Sequence, residues 1–167
     1  MRHKKTKKTN LLAIMIALDV VLSPILRIEG MAPMSSVINV FAGVLMGPLY
    51  ATIMAFICGV IRMTFLGIPP LALTGAVFGA FLAALLYRIF RNIYASMAGE
   101  IIGTGIMGSL LSYPVMVVFT DASNQFYWFI YTPRFLGAAV LGSIVAWFVW
   151  KKVKDLSIFR QMKSLFN

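Results

Sequence analysis

Six apolar runs, at about 11–27, 36–47, 49–66, 71–87, 94–119 and 127–150, occupy most of this 167-residue chain. A helix that crosses a bilayer core needs roughly 20 predominantly apolar residues, fewer if it is tucked within a bundle. A soluble domain could not present a normal surface with 60% hydrophobic content and five acidic side chains. The sequence therefore reads as an all-α integral membrane protein with six transmembrane helices, a single domain over 1–167. The second run is too short to cross alone as a regular helix, and Gly47-Pro48 separates it from the third. Proline removes a donor and clashes with the preceding turn, so these runs are expected as a broken or tightly turned pair. A five-span arrangement stays open on this reading.

The formal net charge of +10 would suit a nucleic-acid binder, but the cations cluster at the edges of the apolar runs. Twelve of the fifteen basic residues fall in three segments. Arg2, Lys4, Lys5, Lys7 and Lys8 precede the first run, Arg88 and Arg91 separate the fourth from the fifth, and Lys151, Lys152, Lys154, Arg160 and Lys163 follow the last. Six crossings put all three segments on one side, which the positive-inside rule makes cytoplasmic. Five crossings would leave one basic end outside. Both termini are thus expected in the cytoplasm of a multi-pass plasma-membrane protein whose surroundings are the lipid bilayer and not nucleic acid. Residues 1–10 form a basic tail, and 153–167 a basic amphipathic segment on the cytoplasmic surface. The N-terminus resembles a signal peptide but lacks a small-residue cleavage site, so it is kept as a mature helix. The opposite loops carry Glu29 and Asp121 and no lysine, and Tyr127, Trp128, Tyr131, Trp147 and Trp150 suit interfacial belts at the ends of the sixth run.

No GxxxxGK[ST] loop, HExxH pair or cysteine cluster is present, with Cys58 the sole cysteine and His3 the sole histidine. No cofactor or metal is expected, and the chain does not hydrolyse ATP itself. Four ionisable residues lie inside spans: Asp19, Arg62, Glu100 and Arg134. Such groups are costly unless paired or solvated, so they are functional candidates. Glu100 either pairs with an arginine or serves a ligand, and Asp19 pairs with Arg62 or Arg134. Gly99, Gly103, Gly105 and Gly108 let a helix or a ligand come close to Glu100. The stretch from Glu29 to Pro48 interrupts the apolar pattern with Glu29, Gly30, Ser35, Ser36 and Asn39, and reads as a cap over a binding site or an ordinary loop. Asn39, Tyr113, Asn124, Trp128 and Tyr131, with Arg62, Glu100 and Arg134, would suit a small aromatic ligand held by stacking and directed hydrogen bonds. Tyr113-Pro114 is expected to break the fifth run near that site. Ala13 and Ala17 form an AxxxA pair that permits close helix contact, internal or with another subunit.

The basic N-terminus, AxxxA at Ala13 and Ala17, GMAPM at 30–34, NVFAGVLMGP at 39–48 and AGEIIGTGIMGSLLSYP at 98–114 together resemble a known family. It is the ThiW type of substrate-binding (S) component of energy-coupling factor transporters, and the resemblance covers nearly the whole chain. It implies a binder of a small vitamin precursor, by analogy hydroxyethylthiazole, the thiazole half of thiamine. It also implies docking on a transmembrane coupling subunit with two ATPase subunits, and Ala13 and Ala17 as the docking face. Val21 stands where some S components continue the small-residue pattern. The alternative from another class is a small membrane enzyme or structural membrane protein using Glu100 and Arg134.

Overall fold

The computed structural model describes residues 2–25, 31–120 and 128–166, and the side chains of 4–25, 31–119 and 128–166. Glu29, Gly30, Asp121, Asn124 and Tyr127 therefore lie outside the described residues. Among the described residues seven α-helices follow in order: α1 (Arg2–Ile25), α2 (Pro33–Leu66), α3 (Leu71–Phe90), α4 (Ile93–Glu100), α5 (Ser109–Thr120), α6 (Thr132–Val153) and α7 (Ser157–Ser164). A π-helical stretch, Ile101–Gly108, joins α4 to α5. Among the described residues there are five helical stretches long and apolar enough to cross a membrane: Lys4–Ile25, Pro33–Leu66, Leu71–Phe90, Ile93–Phe119 and Thr132–Val153. Helix α1 begins at Arg2, so residues 2–10 of the expected basic tail are helical.

The 34 residues of α2 merge the second and third apolar runs, but they do not form one rod. Ser35 and Arg62 would stand about 40 Å apart on a straight helix. Arg62 Nη2 nevertheless donates to Ser35 Oγ at 3.2 Å, so the chain doubles back between them. The pivot is Gly47, at φ 75 and ψ 175, a conformation essentially closed to residues with a Cβ. Pro48 follows, contributing no N–H to the ladder. The turned pair expected from Gly47-Pro48 is what the structure contains.

The first limb of α2, 33–46, is buried almost throughout and is the centre of the bundle. Lipid tails are as apolar as the side chains, so close backbone packing replaces the hydrophobic drive between helices. A Cβ at Gly43 would lie 2.9 Å from Ala84 N of α3. Along the fourth span, a Cβ at Gly108 would lie 2.7 Å from Gly75 Cα, and one at Gly99 or Gly103 would collide with the α3 carbonyls of Leu82 or Phe78. The glycines flanking Glu100 thus admit a neighbouring helix. Large apolar side chains such as Ile14, Phe56, Phe65, Phe81 and Phe148 face outward, as a lipid-facing surface requires.

The basic segments meet at one end. Lys8 lies over the rings of Phe166 and Tyr50, at 5.0 and 5.8 Å from their centroids, and Lys163 over Tyr87 at 5.2 Å. Phe159 of α7 is buried edge-on against Phe41 at 6.2 Å. The C-terminal helix therefore docks its apolar face on the ends of α2 and α3.

The bend yields a stability test. Nothing lies within 4 Å of a Cβ built at Gly47, so Gly47→Ala suffers backbone strain alone. It should lower stability by about 1–3 kcal/mol, read as earlier unfolding on heating in detergent. An unchanged midpoint would mean that the bend does not depend on glycine.

Candidate functional site

At the end of the bundle opposite the basic segments, a cavity opens between α1, both limbs of α2, α3, the π-helical stretch and α6. The cavity has a volume of about 80 Å³ and is open at its mouth. Ser23, Met31, Ala32 and Ile68 stand among the lining residues near helix ends, with Phe135 and Ala138 of α6 supplying apolar wall.

One wall is ionic. Arg62, 3% exposed, donates from Nη2 to Asp19 Oδ2 at 3.3 Å and to Ser35 Oγ at 3.2 Å, and from Nε to Cys58 O at 3.3 Å. Asp19 is fully buried. This cluster ties α1 and the two limbs of α2 together, because each charge in an apolar interior needs a counter-charge and further hydrogen bonds.

The floor is polar without an ion pair. Residues 35, 36 and 39 share one helix face, which brings Ser35, Ser36 and Asn39 to the cavity together. Asn39 Nδ2 donates to Glu100 Oε1 and Ala76 O, both at 3.3 Å. Thr104, one turn beyond Glu100, donates to Glu100 Oε1 at 2.8 Å. The absent side chain of Gly79 makes room for the carboxyl, since a Cβ there would come within 2.5 Å of Glu100 Oε2. Glu100 stands at the start of the π-helical stretch, a local widening of the helix often found at functional sites.

Of the residues singled out from sequence, the structure brings Asn39, Arg62 and Glu100 to one cavity. The others are elsewhere. Tyr113 and Trp128 pack against each other with centroids 5.1 Å apart, outside the lining, and Trp128 is half exposed. Tyr131 is buried beside Met116 and Phe135, one layer behind the wall. Arg134 is exposed, and Asn124 lies outside the described residues. Asp19 chooses Arg62 over Arg134, and Glu100 takes Asn39 and Thr104 in place of an arginine. Pro114 sits inside α5, and the irregular backbone of that span is at 101–108 instead. Residues missed from sequence are Thr104, Gly75 and Phe135. Thr104 carried a signal, four residues from Glu100 on one face. Phe135 had none, since its apolar character does not distinguish a cavity wall from lipid contact.

A helical bundle long and apolar enough to span a membrane, enclosing a cavity with a few convergent polar groups, defines a membrane protein that binds a small solute. The family model described as thiamine-precursor transporter protein (ThiW) matches residues 9–156, and the chain belongs to that family. It is thus a multi-pass plasma-membrane transporter of a thiamine precursor, and not an enzyme. Neither the curated proteins nor the solved structures give a match.

The ionic wall predicts an asymmetric mutational response. Asp19→Ala leaves the Arg62 guanidinium buried without a counter-charge and should cost about 3–5 kcal/mol. Joint replacement by Asp19→Leu and Arg62→Met should recover most of that loss in thermal unfolding. A double variant no more stable than Asp19→Ala would contradict the pairing.

Proposed function

We propose that the protein is the substrate-binding (S) component of an energy-coupling factor transporter, taking up hydroxyethylthiazole. The observation that carries this reading is the polar cavity of Asn39, Arg62 and Glu100 at the end away from the basic segments. Counting the limbs of α2 separately gives six crossings. With the basic segments held in the cytoplasm, the cavity then opens outward. A five-membered heterocycle with a hydroxyethyl arm offers a flat face to Phe135 and a hydroxyl and ring nitrogen to the polar groups. The 31–36 segment, with Met31, Ala32, Ser35 and Ser36 in the lining, forms part of the cap.

Energy coupling belongs to other subunits, a transmembrane partner and two ATPases, since the chain has no nucleotide-hydrolysis motif. Ala13 and Ala17 are exposed on α1 beside Ile14, Leu18 and Val21, which supports an outward docking face for the transmembrane partner. The small side chains would let the partner's backbone approach.

Titration of the purified protein with hydroxyethylthiazole tests the assignment. Asn39→Ala should weaken binding by roughly 5- to 150-fold, the effect of losing a buried hydrogen bond worth about 1–3 kcal/mol. Trp128→Ala and Arg134→Ala, both outside the lining, should leave affinity near that of the wild type. The reverse pattern would move the site toward the 113–134 region.

The docking face is tested separately. Ala13→Trp with Ala17→Trp should abolish uptake by the assembled transporter and preserve ligand binding by the isolated subunit. Loss of binding with assembly intact would make this face internal.

A further inference from the structure

The floor of the cavity holds more hydrogen-bond acceptors than donors. Asn39 uses both amide protons, on Ala76 O and on Glu100 Oε1. Both partners are acceptors, which fixes the amide orientation and leaves Oδ1 over. Thr104 has one hydroxyl proton for two acceptors, Gly75 O at 3.0 Å and Glu100 Oε1 at 2.8 Å. The Ser36 hydroxyl lies beside the same carboxyl. Even so, Asn39 Oδ1 and Glu100 Oε2 are buried and accept no hydrogen bond of standard geometry among the described residues. Their side chains are 1% and 0% exposed, and both residues line the cavity.

We propose that Glu100 and Asn39 are the specificity element of the site: they select a neutral precursor that donates a hydrogen bond, a free alcohol, and reject its phosphate ester. This rests on the reading of the cavity as the precursor site. A site built around unsatisfied acceptors discriminates strongly against an analogue lacking the donor, because the buried acceptors then stay unpaired. Rejection of the phosphate follows from charge. Arg62, the cation in the lining, is already held by Asp19, and the polar floor of Asn39, Glu100 and Thr104 supplies no further cation. A phosphate dianion would bring further negative charge into a poorly solvated space without a free counter-ion.

The test titrates the purified full chain with hydroxyethylthiazole, its methyl ether and its phosphate monoester, and repeats the series in Glu100→Gln, checked as folded by thermal unfolding. The ether should bind about 10-fold or more weakly than the alcohol, and the phosphate should not bind measurably. In Glu100→Gln the alcohol-to-ether ratio should fall toward one, because glutamine can place an N–H where Oε2 accepts. An ether that binds as well as the alcohol in the wild type would overturn the proposal. So would a phosphate that binds more tightly, or a variant in which both ligands weaken equally with the ratio intact. If hydroxyethylthiazole itself does not bind, the thiazole assignment fails, and the same three-way comparison with a hydroxymethyl aminopyrimidine decides the acceptor pair alone. No binding of either alcohol would overturn both.

Discussion

Arg62 and Asp19 are a guanidinium and a carboxylate taken almost entirely out of solvent, and the arrangement around the cavity depends on how they are satisfied. Neither charge is tolerable alone in an apolar interior, so wherever one goes the other must follow. Their contact fixes α1 against the second limb of α2, and the added bond to Ser35 fixes the first limb to the second. That geometry is reachable only if α2 reverses between 35 and 62, which the backbone at Gly47 permits. A single ionic cluster thereby closes the hairpin and supplies one wall of the cavity. Such a pair contributes arrangement more than net stability, since desolvation offsets much of the attraction.

The rest of the bundle is held by closeness. Gly43, Gly99, Gly103 and Gly108 bring backbones of neighbouring helices to distances that any side chain would prevent. Close packing around α3 leaves the remaining space at the other end, where the side chains of Asn39, Glu100 and Thr104 turn inward. Gly79 belongs to both systems: its missing side chain is the space in which the Glu100 carboxyl sits. The cavity-lining side chains thus stand on packed helices, which hold them more rigidly than loops would.

Much of the fold was legible because bilayer crossing imposes a coarse code. Apolar runs separated by cationic segments foretold the helices, and Gly47-Pro48 foretold the turn in α2. The glycines near Glu100 foretold a close neighbour, and Asp19 with Arg62 was one of two pairings left open. The site was less legible. Pairing Glu100 with an arginine followed from charge alone, but placement decides, and the arginine nearest in expectation, Arg134, turns outward while Phe135, one residue on, faces the cavity. Trp128, a candidate for stacking on a ligand, and Tyr113, a candidate polar partner, pack against each other at a tilt outside the cavity lining. Pro114 looked like the break in its span, yet the widened turns lie before it, where no proline marks them. Side-chain direction around a helix changes by 100° per residue, so neighbouring candidates separate completely unless the register is known.

A membership in the thiamine-precursor transporters and a cavity built from α1, α2, α3, α6 and the π-helical stretch converge on one central claim, that the precursor is held there. The most direct measurement is to crystallise the protein with hydroxyethylselenazole, the selenium analogue of the thiazole, and locate the selenium by anomalous scattering. The account predicts a single strong peak between Asn39, Arg62 and Phe135. A peak beside Trp128 and Tyr113, or at the basic end near Lys8 and Arg88, would contradict it.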